Sequence, residues 1–390
     1  MKKLSLALLC AVSSAIAAPA YADALSTPAM SGPLTADPNP YSVDLGFLGK
    51  TYITGSVSGL AFAQTNSQHF FPRDTDDAVD LSNAQVFIQK TDGQFQYFIQ
   101  AGEYALPSLA SPYIESNDIT GKTYGVVPVA YGKFIINDQF SVQAGKLPTL
   151  IGDEYTFTFQ NMNIERGLLW NQEPAISRGV QLNYASGPLS ASISWNDGYY
   201  SNRWNWVSGL LSYGFNSGAD TVAFAGGGNL GGSLPVGGFA TPPAQNSGSI
   251  FNLIYTHTDG PWVISPYIQY QDVPKNLALG YTSDSNMFGA AVLATYSFND
   301  NWKLSGRVEY ETEDSKHGAA NLLFGPGSDG TSLTITPTYL YKIFFARIEG
   351  SYTFATDATK GRFGKPGLAL GPNGNDTDQG RAMLEVGVNF

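Results

Sequence analysis

Charge is scarce in this chain. Only 14% of its 390 residues are Asp, Glu, Lys or Arg, against about 25% in an ordinary soluble domain. Cysteine is scarcer still, with Cys10 alone, so no disulfide can staple the fold within one chain. Histidine is limited to His69, His257 and His317. None stands in a recognisable Ser/His/acid spacing, which argues against a hydrolase and leads us to expect no enzyme. Long hydrophobic runs are missing too. Beyond the N-terminus no segment approaches the roughly 18 consecutive apolar residues of a spanning helix, which excludes a helical-bundle membrane protein. Basic side chains are outnumbered 21 to 32, for a net charge of −11. A nucleic-acid binder would instead carry a basic stripe, so no nucleic-acid partner is expected. What the chain does have is 43 glycines and 13% aromatics, more burial than a disordered chain can use.

The N-terminus reads as an export signal. Met1-Lys2-Lys3 is a basic start, an apolar stretch runs from Leu4 to Ala18, and Ala20-Tyr21-Ala22 precedes Asp23 in the small-x-small cleavage pattern. Leu9 stands before Cys10 where a lipidation site needs a small residue. Cleavage after Ala22 removes two lysines and the cysteine, leaving 368 residues with 19 basic against 32 acidic side chains, a net charge of −13. Residues 23–50, with Pro28, Pro33, Pro38 and Pro40 and no clear period, read as an extended periplasmic lead-in.

From Thr51 onward, segments of about ten residues alternate apolar and polar, the signature of a two-faced strand. Residues 94–101 and 302–310 are clear cases, and Phe288, Ala290, Val292, Ala294, Tyr296 and Phe298 fill every second position of a third. Glycine blurs the pattern at 51–64 and 221–226. Tight-turn signals occur at Thr91-Asp92-Gly93, Asn137-Asp138, Ser186-Gly187-Pro188, Asn216-Ser217-Gly218, Asp259-Gly260, Asn299-Asp300-Asn301 and around Tyr341-Lys342. Longer connections alternate with them near 65–78, 103–125, 148–175, 196–204, 227–247, 272–285, 312–331 and 355–380. Seven short and eight long connections require 16 strands. The pattern predicts an all-β fold: a transmembrane antiparallel β-barrel over 51–390, with short periplasmic turns and long extracellular loops.

A bilayer explains this plan, because every backbone polar group in hydrocarbon needs an internal partner and a sheet must therefore close on itself. A soluble sandwich would have shorter strands, and no repeat of propeller length is visible. The polar parity then lines the lumen. It places Ser177, Gln181 and Asn183 inside against Val180, Leu182 and Tyr184, and Lys303, Arg307, Glu309 and Glu311 inside on the strand at 302–311. Lys133 is opposite in parity to Phe134, and Arg347 and Glu349 share a face opposite Ile348.

The third long loop, 148–175, is unusually apolar for an exterior connection. Phe157, Phe159, Leu168, Leu169 and Trp170 suit a loop packed on the barrel wall better than a solvated tip. Folded inward, it would narrow the channel. Its acids Asp153, Glu154, Glu165 and Glu173, with Arg166 among them, would face wall residues Lys133, Arg307 and Arg347 and set a transverse field. The alternative is a loop that caps the barrel or packs at a subunit interface.

Residues 145–156, 161–174 (Asn-Met-Asn-Ile-Glu-Arg-Gly-Leu-Leu-Trp-Asn-Gln-Glu-Pro), Ser177-Arg178-Gly179 and 195–203 (Trp-Asn-Asp-Gly-Tyr-Tyr-Ser-Asn-Arg) resemble the OmpL-like β-barrel porins. The resemblance implies an outer-membrane porin of a Gram-negative cell: a water-filled channel for passive diffusion of small hydrophilic solutes and ions. It permits a homotrimer and does not name a solute. The terminal Phe390, on a strand that alternates to its last residue, resembles the signal by which the barrel assembly machinery recognises its clients. Outer-membrane lipid and lipopolysaccharide are the expected surroundings.

No cofactor or metal is expected. The stretch 226–232 lacks the Lys-Ser/Thr ending of a phosphate loop. Asp74, Asp76, Asp77 and Asp80 lack a full calcium-loop spacing and read as solvated. Acidic loops predict a modest cation preference. The competing reading is a substrate-specific channel, or a receptor or adhesin carried on the loops of a barrel.

Overall fold

The computed structural model describes residues 25–37, 39–68, 74–231, 240–362 and 365–390. The proposed signal segment, 1–22, and His69 lie outside them. A short strand β1 (Tyr41–Asp44) precedes sixteen long ones. These are β2 (Lys50–Gln64), β3 (Asp77–Lys90), β4 (Phe95–Tyr104), β5 (Val129–Ile135), β6 (Phe140–Pro148), β7 (Ile176–Ser186), β8 (Leu189–Asn196), β9 (Trp206–Phe215) and β10 (Asp220–Asn229). They continue through β11 (Ser249–Asp259), β12 (Trp262–Val273), β13 (Ser285–Ser297), β14 (Trp302–Ser315), β15 (Asp329–Tyr341), β16 (Phe344–Thr356) and β17 (Asp378–Asn389).

Each of the sixteen pairs antiparallel with its successor, and β17 returns to β2 from Arg381 opposite Gln64 to Asn389 opposite Ser56. The ring of sixteen strands therefore closes on itself without a free edge. All seven expected tight turns join neighbouring strands at one end of the barrel. Gly187 and Gly260, both at φ +54°, supply the left-handed conformation that two-residue hairpins need. Long connections occupy the other end. One of them holds a short helix, α1 (Ser116–Lys122), that the hydrophobic period does not announce.

Side chains obey the two-residue period. On β7, Gln181 and Asn183 are buried while Val180 and Leu182 are exposed outward. On β14, Arg307, Glu309 and Glu311 point in, while Val308 and Tyr310 point out. Charge on the lipid face at mid-bilayer would cost about 2–4 kcal/mol per Arg or Lys. Aromatic pairs gather at the short-turn end, with Trp262 and Tyr296 at 4.6 Å between centroids and Trp302 and Tyr339 at 4.8 Å. That is an interfacial girdle.

Strand β2 departs from a polar lining for two reasons. A register shift at Ser58/Gly59 bends its ladder. Its inward Leu60 and Phe62 pack on Tyr113, Ile164 and Met383. The lumen contains an apolar core, which parity alone does not predict.

The first residues also differ from the lead-in expected of them. Residues 26–35 run inside the barrel, where Leu34 is 2% exposed. Strand β1, further along the chain, pairs with Lys50–Ile53 of β2. Phe390 exchanges backbone bonds with Gly55, at 3.0 and 2.7 Å. Strand β1 therefore continues the ladder of β2 beyond the C-terminus.

Candidate functional site in the lumen

Loop 149–175 leaves β6, crosses the interior and returns to β7. Its neck is tied by the Thr149 amide donating to the Ala175 carbonyl at 3.0 Å. A buried loop must satisfy its own backbone, and Asn161 does much of this. Its carboxamide oxygen accepts from the Tyr155 amide at 2.7 Å, and its nitrogen donates to the carbonyls of Tyr155 (2.8 Å) and Phe157 (2.9 Å). Gly152 takes φ +92° and passes so near Glu173 that a Cβ would sit 1.7 Å from its carboxylate.

The apolar anchors pack on walls that face each other. Phe157 and Phe159 join Phe87, Phe98, Tyr104 and Ile176 in one cluster. Met162 and Leu169 meet Ile254, Tyr267 and Leu293 in another. Trp170 stays half-buried and stacks on the Arg166 guanidinium at 5.1 Å.

The charges meet differently from the separated field that the loop's sequence suggests. Glu154 is in direct contact with Arg307 at 2.5 Å, and Arg307 also reaches Glu309 on its own strand at 3.1 Å. Glu165 pairs with Arg381, and its other oxygen accepts from Ser351 at 2.7 Å. Arg347 pairs with Glu385, a wall residue, and spends its remaining donors on loop carbonyls. Glu349 accepts the amides of Ile164 (2.5 Å) and Glu165 (2.9 Å). Lys133 sits in the row Gln96–Lys133–Gln143 and makes no ion pair with these acids among the described residues. Buried charges need close partners because low dielectric penalises separation, so the expected transverse field is largely collapsed into contact pairs.

Asp153 and Glu173 escape this pairing. Asp153 keeps part of its surface open, yet the surrounding protein pushes its carboxyl up to about 7, opposed by a hydrogen bond from Ser265. Burial raises Glu173 well above the carboxylate range, reinforced by repulsion from Glu154, Asp153 and Glu311. The carboxylates of Glu173 and Glu311, the Tyr267 hydroxyl, the Gln271 amide and the Arg166 guanidinium have no hydrogen-bond partner among the described residues. Polar groups left this way in a lumen are places for water or solute.

Arg381 and Glu385 were not among the residues singled out from sequence, although their inward parity on β17 was available to signal them. The four aspartates of 74–80 also divide, with Asp77 and Asp80 at the start of β3. Asp74 accepts from Gln64 (2.9 Å) and Tyr113 (3.1 Å), and Asp80 accepts from Tyr113 (2.8 Å) and Ser116 (2.7 Å). These two hold neighbouring loops together rather than simply meeting solvent. Among the described residues no His/Cys/Asp/Glu group has the arrangement to hold a metal ion.

The fold is similar to several solved outer-membrane proteins. The outer-membrane channel DcaP of Acinetobacter baumannii matches with TM-score 0.58 at 11% identity, covering 87% of this chain and 97% of its own. An anion-selective porin from Comamonas acidovorans matches at 0.57 and 10% identity, covering 87% and 99%. Outer-membrane expressed OmpT of Vibrio cholerae matches at 0.56 and 12% identity, covering 90% and 100%. At such identities the likeness is one of fold. No curated protein matches the sequence. The family described as "Putative beta-barrel porin-2, OmpL-like" matches residues 50–390, the entire barrel. The chain therefore belongs to the OmpL-like β-barrel porins of the bacterial outer membrane.

Proposed function

We propose that this porin passes small hydrophilic solutes and ions by passive diffusion, with loop 148–175 as its constriction and a modest preference for cations. One observation carries the reading: where the loop spans the lumen, the acids Asp153, Glu173 and Glu311 make no ion pair among the described residues, beside a wall of polar side chains. Where ionised, such carboxyls at a narrow point attract cations and repel anions, and the upward shifts of Asp153 and Glu173 make that attraction grow as pH rises through about 7. The chemistry is that of a channel lining rather than of a catalytic centre. Glu154, Glu165, Arg307 and Arg347 act in this reading as the frame that holds the loop in place. Lys133 lies apart from that frame.

Planar-bilayer recording across a salt gradient tests this. Discrete conductance steps with a cation-side reversal potential are expected. A silent membrane would remove the channel, and an anion-side reversal potential would remove the assigned selectivity.

Three further assignments belong to the same proposal. Export uses a signal cleaved after Ala22. Phe390 presents the last strand to the assembly machinery in an envelope of lipid and lipopolysaccharide. The protein forms a homotrimer, as a solved trimer form of the OmpT fold neighbour suggests. Chemical cross-linking in detergent distinguishes monomer from trimer.

A further inference from the structure

Residues 25–36 contain no charged side chain, and Pro28 and Pro33 remove two amide donors while favouring extended backbone. Such a segment can lie in a lumen if its carbonyls find donors. They do so on several sides. Gln89 of β3 donates to the Thr27 carbonyl at 2.6 Å, and loop residue Gln160 donates to Ala29 at 2.8 Å. Lys303 of β14 donates to Pro33 at 2.9 Å, and Asn389 of β17 to Thr35 at 3.4 Å. The backbone also binds the loop directly, with the Ser31 amide 2.8 Å from the Gln160 carbonyl. A Cβ on Gly32 would meet the Asn161 carbonyl oxygen at 2.1 Å. Leu34 is buried in the same aromatic cluster as Phe157, Phe159 and Phe345. The segment thus lies across the short-turn end of the lumen, directly beneath the constriction loop.

We propose that residues 25–36 are a gate on the periplasmic side: they close the passage under loop 148–175, and the pore opens when they withdraw, pivoting on β1. The construction favours a movable piece. Its polar contacts are mostly side chains reaching single carbonyls, which water can replace. Strand β1 is held by the ladder to β2, so the segment stays tethered after release. With no charge of its own, the gate has little coupling to membrane potential, and opening follows thermal or solute displacement. The proposal rests on the channel reading above.

The test records single channels from three purified proteins, each lacking residues 1–22 and so free of native cysteine: wild type, a deletion of 25–36, and Ser31→Cys/Gln160→Cys. Deletion is expected to raise conductance or open fraction about twofold or more and to abolish long closures, equally at both polarities. The oxidised double-cysteine protein should stay in its lowest conductance state, and dithiothreitol should restore openings. If the deletion protein does not fold, the disulfide pair decides alone. Identical traces from wild type and deletion, or from oxidised and reduced pairs, overturn the gate while leaving the channel intact. Silence from every protein overturns the channel itself and the gate with it.

Discussion

Arg347 and Glu385 stand directly opposite each other on β16 and β17, and Arg347 clamps loop 149–175 from that position. Its Nε donates to Glu385 at 2.9 Å, while its terminal nitrogens reach the carbonyls of Thr158 (3.0 Å) and Asn161 (3.1 Å). Glu385 completes the clamp by accepting from the Thr158 hydroxyl at 2.8 Å.

Replacing Arg347 with Met should remove the clamp and leave Glu385 buried without its cation. Breaking one partner of such a pair costs about 3–5 kcal/mol. The double change Arg347→Met/Glu385→Gln should recover most of that loss, because no buried charge is then stranded, but it cannot restore the loop contacts. Denaturant unfolding should separate the two variants, while single-channel conductance should be raised in both. A wild-type conductance in both would show that the loop does not depend on Arg347.

Selectivity should depend on pH. The Asp153 carboxyl, pushed up to about 7, is largely neutral below that value and charged above it. Cation preference should therefore rise as pH passes through about 7, with Glu173 adding to the change at higher pH. The stability effect has the opposite sense. An acid whose pKa is higher folded than unfolded holds its proton more tightly in the fold, so stability declines as pH rises from the ordinary carboxylate range towards about 7. Reversal potentials measured between about pH 5 and about pH 8 check the first statement. Asp153→Asn should reduce the change, and a flat profile in wild type would refute the assignment.

Gly152→Ala should disturb the constriction without touching the barrel. The position combines φ +92° with a Cβ clash 1.7 Å from the Glu173 carboxylate. Strained backbone of this kind costs about 1–3 kcal/mol, and Glu173 must also move. The expected result is native β-sheet circular dichroism with altered conductance and faster proteolysis within 149–175. Unchanged conductance would place the loop outside the ion path.

Deleting Phe390 should impair assembly. The residue exchanges two backbone bonds with Gly55, and its ring lies over that glycine. Its loss unpairs the end of the closing seam between β17 and β2. The yield of heat-modifiable protein in outer-membrane fractions should fall, and a normal yield would count against Phe390 as a recognition element.

The sequence by itself determined the barrel. Alternation of period two, tight-turn residues and alternating connection lengths are local signals, and a bilayer admits only one way of pairing such strands, by closure. The apolar anchors Phe157, Phe159, Leu168 and Leu169 likewise marked the loop that folds inward, because side chains of that kind are unsuited to a solvated tip.

Only the tertiary structure decided which charges meet and what fills the space between them. Arg347 finds Glu385 through strand register, and Thr158 finds Glu385 across 227 residues of chain. Neither distance is written in any local period. The same reason hid the segment 25–36. Its prolines and missing charge read as a featureless lead-in, since its partners Gln89, Gln160, Lys303 and Asn389 come together only once the barrel has closed around it.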